Sequence, residues 1–144
     1  MTAWTVIVAL AIPLAWMIAA LGFTIPVVAP GRDVTVLLLW SASEEIVFRG
    51  GLQTLLARAL ARATRVDSPQ REGWLAVSAA NLLASVAFCA AHAWNKPAVV
   101  ALGLLPVSLV LGASLERSGR LWVPIVLHAY FNLLLYAASA WALA

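Results

Sequence analysis

No charged residue occurs between Met1 and Gly31, and long apolar runs recur along the rest of the chain. A helix needs about 20 mostly apolar residues to cross a bilayer. The whole chain is 64% hydrophobic and 10% charged, whereas a soluble domain carries about 25% charged residues. Packing in water cannot hide that much apolar surface, so the bilayer is the expected solvent. With 144 residues the chain is sized for one domain. The expectation is an all-α, polytopic transmembrane helix bundle of about five spanning helices.

The expected spans are 4–23, 34–62, 74–93, 97–115 and 121 to the C-terminal end. Pro13 is a candidate kink in the first, and Pro26, Pro30 and Gly31 break the chain after it. The first stretch lacks a basic n-region and is too long for a signal-peptide core, so it reads as a retained span. Residues 63–73 and 116–120 read as polar loops, and Asn95, Lys96 and Pro97 as a tight turn. The Gly50–Gly51 pair in the second span can bend it or admit a neighbouring helix. One membrane-embedded domain covers 1–144, with a spanning helix and loop over 1–33 and the remaining spans over 34–140.

Trp4, Trp74, Trp94, Trp122 and Trp141 fall at predicted helix ends, where an aromatic belt lies. Trp16 and Trp40 do not, and are read as lipid-facing or packed. Arg58, Arg62, Arg65, Arg71, Arg117 and Arg120 collect on one side of the alternating spans, against Arg32 and Lys96 on the other. The positive-inside rule puts the first set, and the N-terminus, in the cytoplasm. The expected location is a cell membrane. A net charge of +3, dispersed in this way, is a topology signal and not a nucleic-acid signal. Cys89 is the sole cysteine, so no disulfide can form within the chain.

An ionisable side chain near the bilayer centre costs at least about 2.5–3.5 kcal/mol on insertion scales. This chain places Glu44, Glu45, Arg49, His92 and His128 in or beside spans. Glu45 and Arg49 are four apart, in the favourable order for a helical ion pair. Glu44 is turned about 100° away and is left for another task. Phe88 and His92 are four apart, as are His128 and Asn132. Each group has a plain reading: an ion pair that fixes packing, an interfacial histidine over a core phenylalanine, an interhelical hydrogen-bond clamp. Together they form a usable hydrolytic set. A Glu and a His can orient and deprotonate water. A second His and an Asn can donate to a developing oxyanion. Two rivals use the same residues. Cys89 could be a nucleophile, although only His92 lies near to activate it. Two His and two Glu could bind zinc, although the HExxH spacing is absent.

Glu44-Glu45-x-x-x-Arg49, Phe88-x-x-x-His92 and His128-x-x-x-Asn132, in that order and each on an apolar helix, resemble the three motifs of the CPBP family. These are the CAAX proteases and bacteriocin-processing enzymes, also called Abi or Rce1-like. The similarity covers residues 34–140, and the flanks Phe48-Arg49-Gly50 and Arg120-Leu121-Trp122-Val123-Pro124 fit it.

The resemblance implies an intramembrane glutamic endopeptidase without a metal or other cofactor. By it, Glu44 and His92 activate water, and His128 and Asn132 form the oxyanion hole. Glu45 and Arg49 give support, and Phe88 shapes the pocket. The implied partners are the lipid bilayer and a membrane-anchored protein or peptide substrate. The chain has little beyond the catalytic core, unlike the larger enzymes that process prenylated proteins. A bacterial processing enzyme, acting on C-terminal sorting tails or bacteriocin-type peptides, fits better. The alternative is a non-catalytic immunity or partner-binding membrane protein. Counting residues leaves one mismatch: Glu44 falls ~15 Å below the outer face at ~1.5 Å per residue, and His92 only a few ångströms below it.

Overall fold

The computed structural model describes residues 33–64 and 77–142, with side chains through 137. The first expected span, residues 65–73 of the expected loop, residues 74–76 of the expected third span and the side chains of Trp4, Trp16, Trp74 and Trp141 lie outside the described residues. Within them all regular structure is helical. Helix α1 covers Val34–Glu45 and passes without interruption into a π-helical segment, Ile46–Gln53, and then α2, Thr54–Thr64. Helix α3 covers Ala79–Ala93, α4 Ala98–Gly103, α5 Leu105–Ser118 and α6 Trp122–Ala142.

Local chemistry sets the ends. Asp33 caps α1 by accepting the Thr35 N–H at 2.9 Å. Ser78 caps α3 through the Asn81 N–H at 2.8 Å. The turn after α3 is tight, as expected: the His92 carbonyl accepts N–H groups from Asn95 and Lys96. The expected single span over 97–115 is split at Leu104, because Pro106 has no N–H to bond back one turn and is tolerated only in the first turn of α5. The expected loop at 116–120 is shorter than the charges suggested. Helix α5 carries Glu116 and Arg117 in its last turn. It stops only at Gly119, whose φ of 64° is the left-handed conformation that glycine tolerates.

At Gly50–Gly51, where a bend or a close helix approach was expected, the helix changes register. In the π-helical segment hydrogen bonds reach one residue further than in an α-helix. The Thr54 hydroxyl donates to the Arg49 carbonyl at 2.9 Å, satisfying an acceptor there. A Cβ added at Gly50 would lie 3.0 Å from a Leu121 methyl, which is the close approach the glycine permits.

Two compact units divide these residues. In one, Ser43–Ile125, three helical stretches alternate in direction. Arg49 meets Ser108 and Gln53 meets Gly112, so the π segment and α5 run the same way. Ser78, at the start of α3, meets Glu116 near the end of α5, so α3 runs back between them. Asn81 packs so closely on α5 that a Cβ on Gly112 would overlap its amide. In the other unit, residues 1–42 and 126–144, the Asn132 amide donates to Ser41 Oγ at 2.8 Å. Ser41 in turn donates to Leu37 O at 2.9 Å.

The distribution of polarity is that of a protein in lipid. Arg49, Glu45, Asn81, Ser85 and Ser108 are fully buried, while Leu102 is 66% exposed and Trp40, Leu39, Val47 and Leu55 stand similarly open. Water would select the reverse arrangement. Trp40, misplaced for an aromatic belt, is thus one of the outward apolar side chains. One described stretch, Ala98–Ser118 taken through the Leu104 turn, is at 21 residues long and apolar enough to cross a membrane. Ala79–Ala93 and Trp122–Ala137 are apolar but shorter.

Candidate active site

Glu44 is the next-to-last residue of α1 and His92 the next-to-last of α3. Antiparallel packing brings them together: His92 Nε2 lies 3.8 Å from Glu44 Oε1. The depth mismatch expected from residue counting is therefore absent. Its cause is that the counting assumed both helices start and end at the same two planes, whereas α3 starts at Ala79 and ends level with Glu44.

His92 is held from its other side. Its Nδ1 lies 2.9 Å from the Phe88 carbonyl oxygen, which can only accept, so Nδ1 carries the proton. In the neutral ring Nε2 then presents a lone pair toward Glu44. The Phe88 ring packs on the imidazole at 4.3 Å between centroids, and Phe48 meets Phe88 edge-on at 5.1 Å. The Arg49 guanidinium lies 5.3 Å over the same Phe88 ring. Phe88 thus links the histidine to the buried cation. Glu44 and His92 stay partly open, with 24% and 17% of their side-chain surfaces exposed. Attack on a substrate requires such access.

Glu45 and Arg49 behave differently. Both are fully buried, and Arg49 Nε lies 3.2 Å from Glu45 Oε2. That N–H is not aimed at the oxygen, so the contact is coulombic without being a formed hydrogen bond. The hydrogen bonds of the guanidinium go from Nη2 to Ser108 Oγ at 2.9 Å and Ser108 O at 3.2 Å. One turn on, Gln53 Nε2 donates to Gly112 O at 3.2 Å and Glu116 Oε1 at 3.1 Å. Glu116 also accepts from the Ser78 hydroxyl. Asn81 donates to Leu109 O at 3.0 Å and accepts from Ser85 at 3.2 Å. Together these groups form a polar seam along α3, α5 and the π segment.

Ser108, Gln53, Asn81, Ser85 and Glu116 were absent from the candidate set. A usable signal was there: Ser108, Gly112 and Glu116 are spaced by four on an apolar helix, and Ser78, Asn81 and Ser85 by three and four. Small or polar residues so spaced mark an interhelical face. Cys89 is a buried residue of α3. His128 and Asn132 belong to the other unit, where His128 is buried on α6 and Asn132 holds Ser41. Among the described residues no three of His, Cys, Asp or Glu converge as a metal-ligand group.

The family model for type II CAAX prenyl endopeptidase, Rce1-like, matches residues 11–134. No curated protein and no solved structure matches the chain. A match over most of the chain, on a sequence with a polar interior and an apolar exterior, shows its kinship: the chain belongs to the Rce1-like family of type II CAAX prenyl endopeptidases, a family of membrane proteases.

Proposed function

We propose that this chain is an intramembrane glutamic endopeptidase, in which Glu44 and His92 activate the attacking water. The observation that carries the reading is the 3.8 Å between Glu44 Oε1 and His92 Nε2, with the imidazole fixed by the Phe88 carbonyl. Two acceptors at that spacing can both lie about 2.8 Å from one water oxygen. A water donating to both turns its lone pairs away from them, toward an incoming peptide carbonyl. Its oxygen bonds to the carbonyl carbon as a proton passes to Glu44. The carbonyl oxygen becomes an oxyanion. Collapse breaks the C–N bond, and the proton returns to the leaving amine.

The resemblance assigns the oxyanion to His128 and Asn132, which donate hydrogen bonds to it. Glu45 and Arg49 act through packing, Arg49 by holding Phe88 and Phe88 by holding His92. The substrate is a membrane-anchored protein or peptide of the sorting-tail or bacteriocin-precursor kind. The protein is a multi-pass component of a bacterial inner membrane with a cytoplasmic N-terminus.

The test is cleavage of membrane-anchored candidate substrates by wild type and Glu44→Gln, each with and without a strong chelator. Loss in Glu44→Gln with indifference to chelator is the expected result. Cleavage that survives Glu44→Gln sinks the mechanism, and cleavage abolished by chelator moves the chemistry to a metal.

A further inference from the structure

We infer that the catalytic pair opens on the non-cytoplasmic side of the membrane. The substrate would then be a polypeptide whose scissile segment is reached from the outer leaflet. This rests on the Glu44–His92 reading of the site.

Within the unit Ser43–Ile125 the helix directions separate two ends. Glu44 and His92 meet at one end, and the turn from Trp94 to Pro97 follows His92 directly. Gln53, Ser78 and Glu116 meet toward the opposite end. Beyond that meeting, α2 continues through Arg58 and Arg62, and α5 finishes with Arg117 before Arg120. Among the described residues, four exposed arginines therefore mark the end away from the catalytic pair, and Lys96 alone marks the end beside it. The positive-inside rule counts this kind of bias, short loops and helix ends rich in Arg and Lys lying in the cytoplasm. Because the catalytic pair is tied to the poor end by antiparallel packing, orienting the arginines orients the site.

The turn beside the pair has the features of a membrane surface. Among the described residues Ala98–Ser118 is the stretch able to cross the apolar layer, and it begins immediately after the turn. Trp94 is 95% exposed there, in the position of an interfacial anchor. His92 precedes Lys96 by one helical turn, about 5–6 Å, so the pair is nearer this end of the unit than the arginine-rich end.

Single-cysteine accessibility tests the inference without any need for activity. In a Cys89→Ser background, Asn95→Cys and Ser118→Cys are expressed in a bacterial inner membrane. A membrane-impermeant maleimide is applied to spheroplasts and to inverted vesicles. Asn95→Cys is expected to label in spheroplasts and not in inverted vesicles, and Ser118→Cys the reverse. The opposite pattern overturns the orientation. Asn95→Cys that labels only after denaturation overturns the opening to that side. Neither failure touches the Glu44–His92 mechanism, which stands or falls on the Glu44→Gln assay.

Discussion

Glu44 and Glu45 are neighbours in sequence and opposites in setting. Glu44 is partly open and faces a histidine at 3.8 Å, too far for a hydrogen bond and near enough to share a water. Glu45 is sealed against Arg49, and the Arg49 guanidinium is anchored to Ser108. The first arrangement leaves the carboxylate partly open where a substrate can arrive. The second closes charge off in a dry interior, where it fixes helix contacts. A helix turns about 100° per residue, so two adjacent carboxylates are the shortest way to serve both surfaces. The difference teaches that an intramembrane acid is not by itself a sign of chemistry; access and partner decide.

The widest gap between the two should appear in activity. Glu44→Gln is expected to lower the cleavage rate by about 10²–10⁴-fold, the usual worth of a general base, while the thermal melt in detergent stays near wild type. Glu45→Gln should do the opposite in the melt, so equal behaviour of the two variants in both assays would break the distinction. Next in size is Arg49→Met, which strands Glu45 in the interior. Such a stranded partner costs about 3–5 kcal/mol in unfolding free energy, and pairing the change with Glu45→Leu should recover much of it. A double variant no more stable than Arg49→Met alone would argue that the seam is not an electrostatic lock.

Much of the open pair was legible in the sequence. Glu44, His92, His128 and Asn132 stand out because a polar group in an apolar run is costly and has to be explained. The closed seam was less legible. Serine, asparagine and glutamine raise no alarm in a hydrophobic helix, and they find partners on other helices 28, 38 or 59 residues away along the chain. Only packing identifies Ser108 as the receptor of Arg49, or Gly112 as the gap that admits Asn81. The all-helical class followed from apolar runs alone, whereas the π-helical register and the Leu104 break depend on how neighbouring turns are satisfied.

Gly112→Ala sharpens the seam at a smaller scale. The new methyl would overlap the Asn81 amide, and overpacking of this kind costs about 1–3 kcal/mol, measurable by denaturation in detergent. Activity per folded molecule should change much less than stability. The smallest effect belongs to Asp33, a fully exposed carboxylate. The Thr35 N–H first, and its hydroxyl second, hold this carboxyl below the usual aspartate range. A folded pKa below the unfolded one stabilises above the unfolded value, and the contribution fades as pH falls through the folded value. Melting of wild type against Asp33→Ala from neutral to acid pH should show a slight wild-type advantage that closes on acidification. An advantage that grows toward acid would contradict the cap.

The wide-wound stretch Ile46–Gln53 makes residue number as important as residue type. Each residue there sweeps through a smaller angle than in an α-helix, so the segment acts as a spacer that sets the phase between Glu44 upstream and Gln53 downstream. Deleting one residue would let the backbone relax into the commoner winding. It would also swing Glu44 around the helix axis relative to the seam, with every side chain of the proposed catalytic set still present. A deletion scan across 46–53 should therefore be harsher than a substitution scan over the same positions. The helix works like the cut of a key, where spacing between teeth matters as much as their shape.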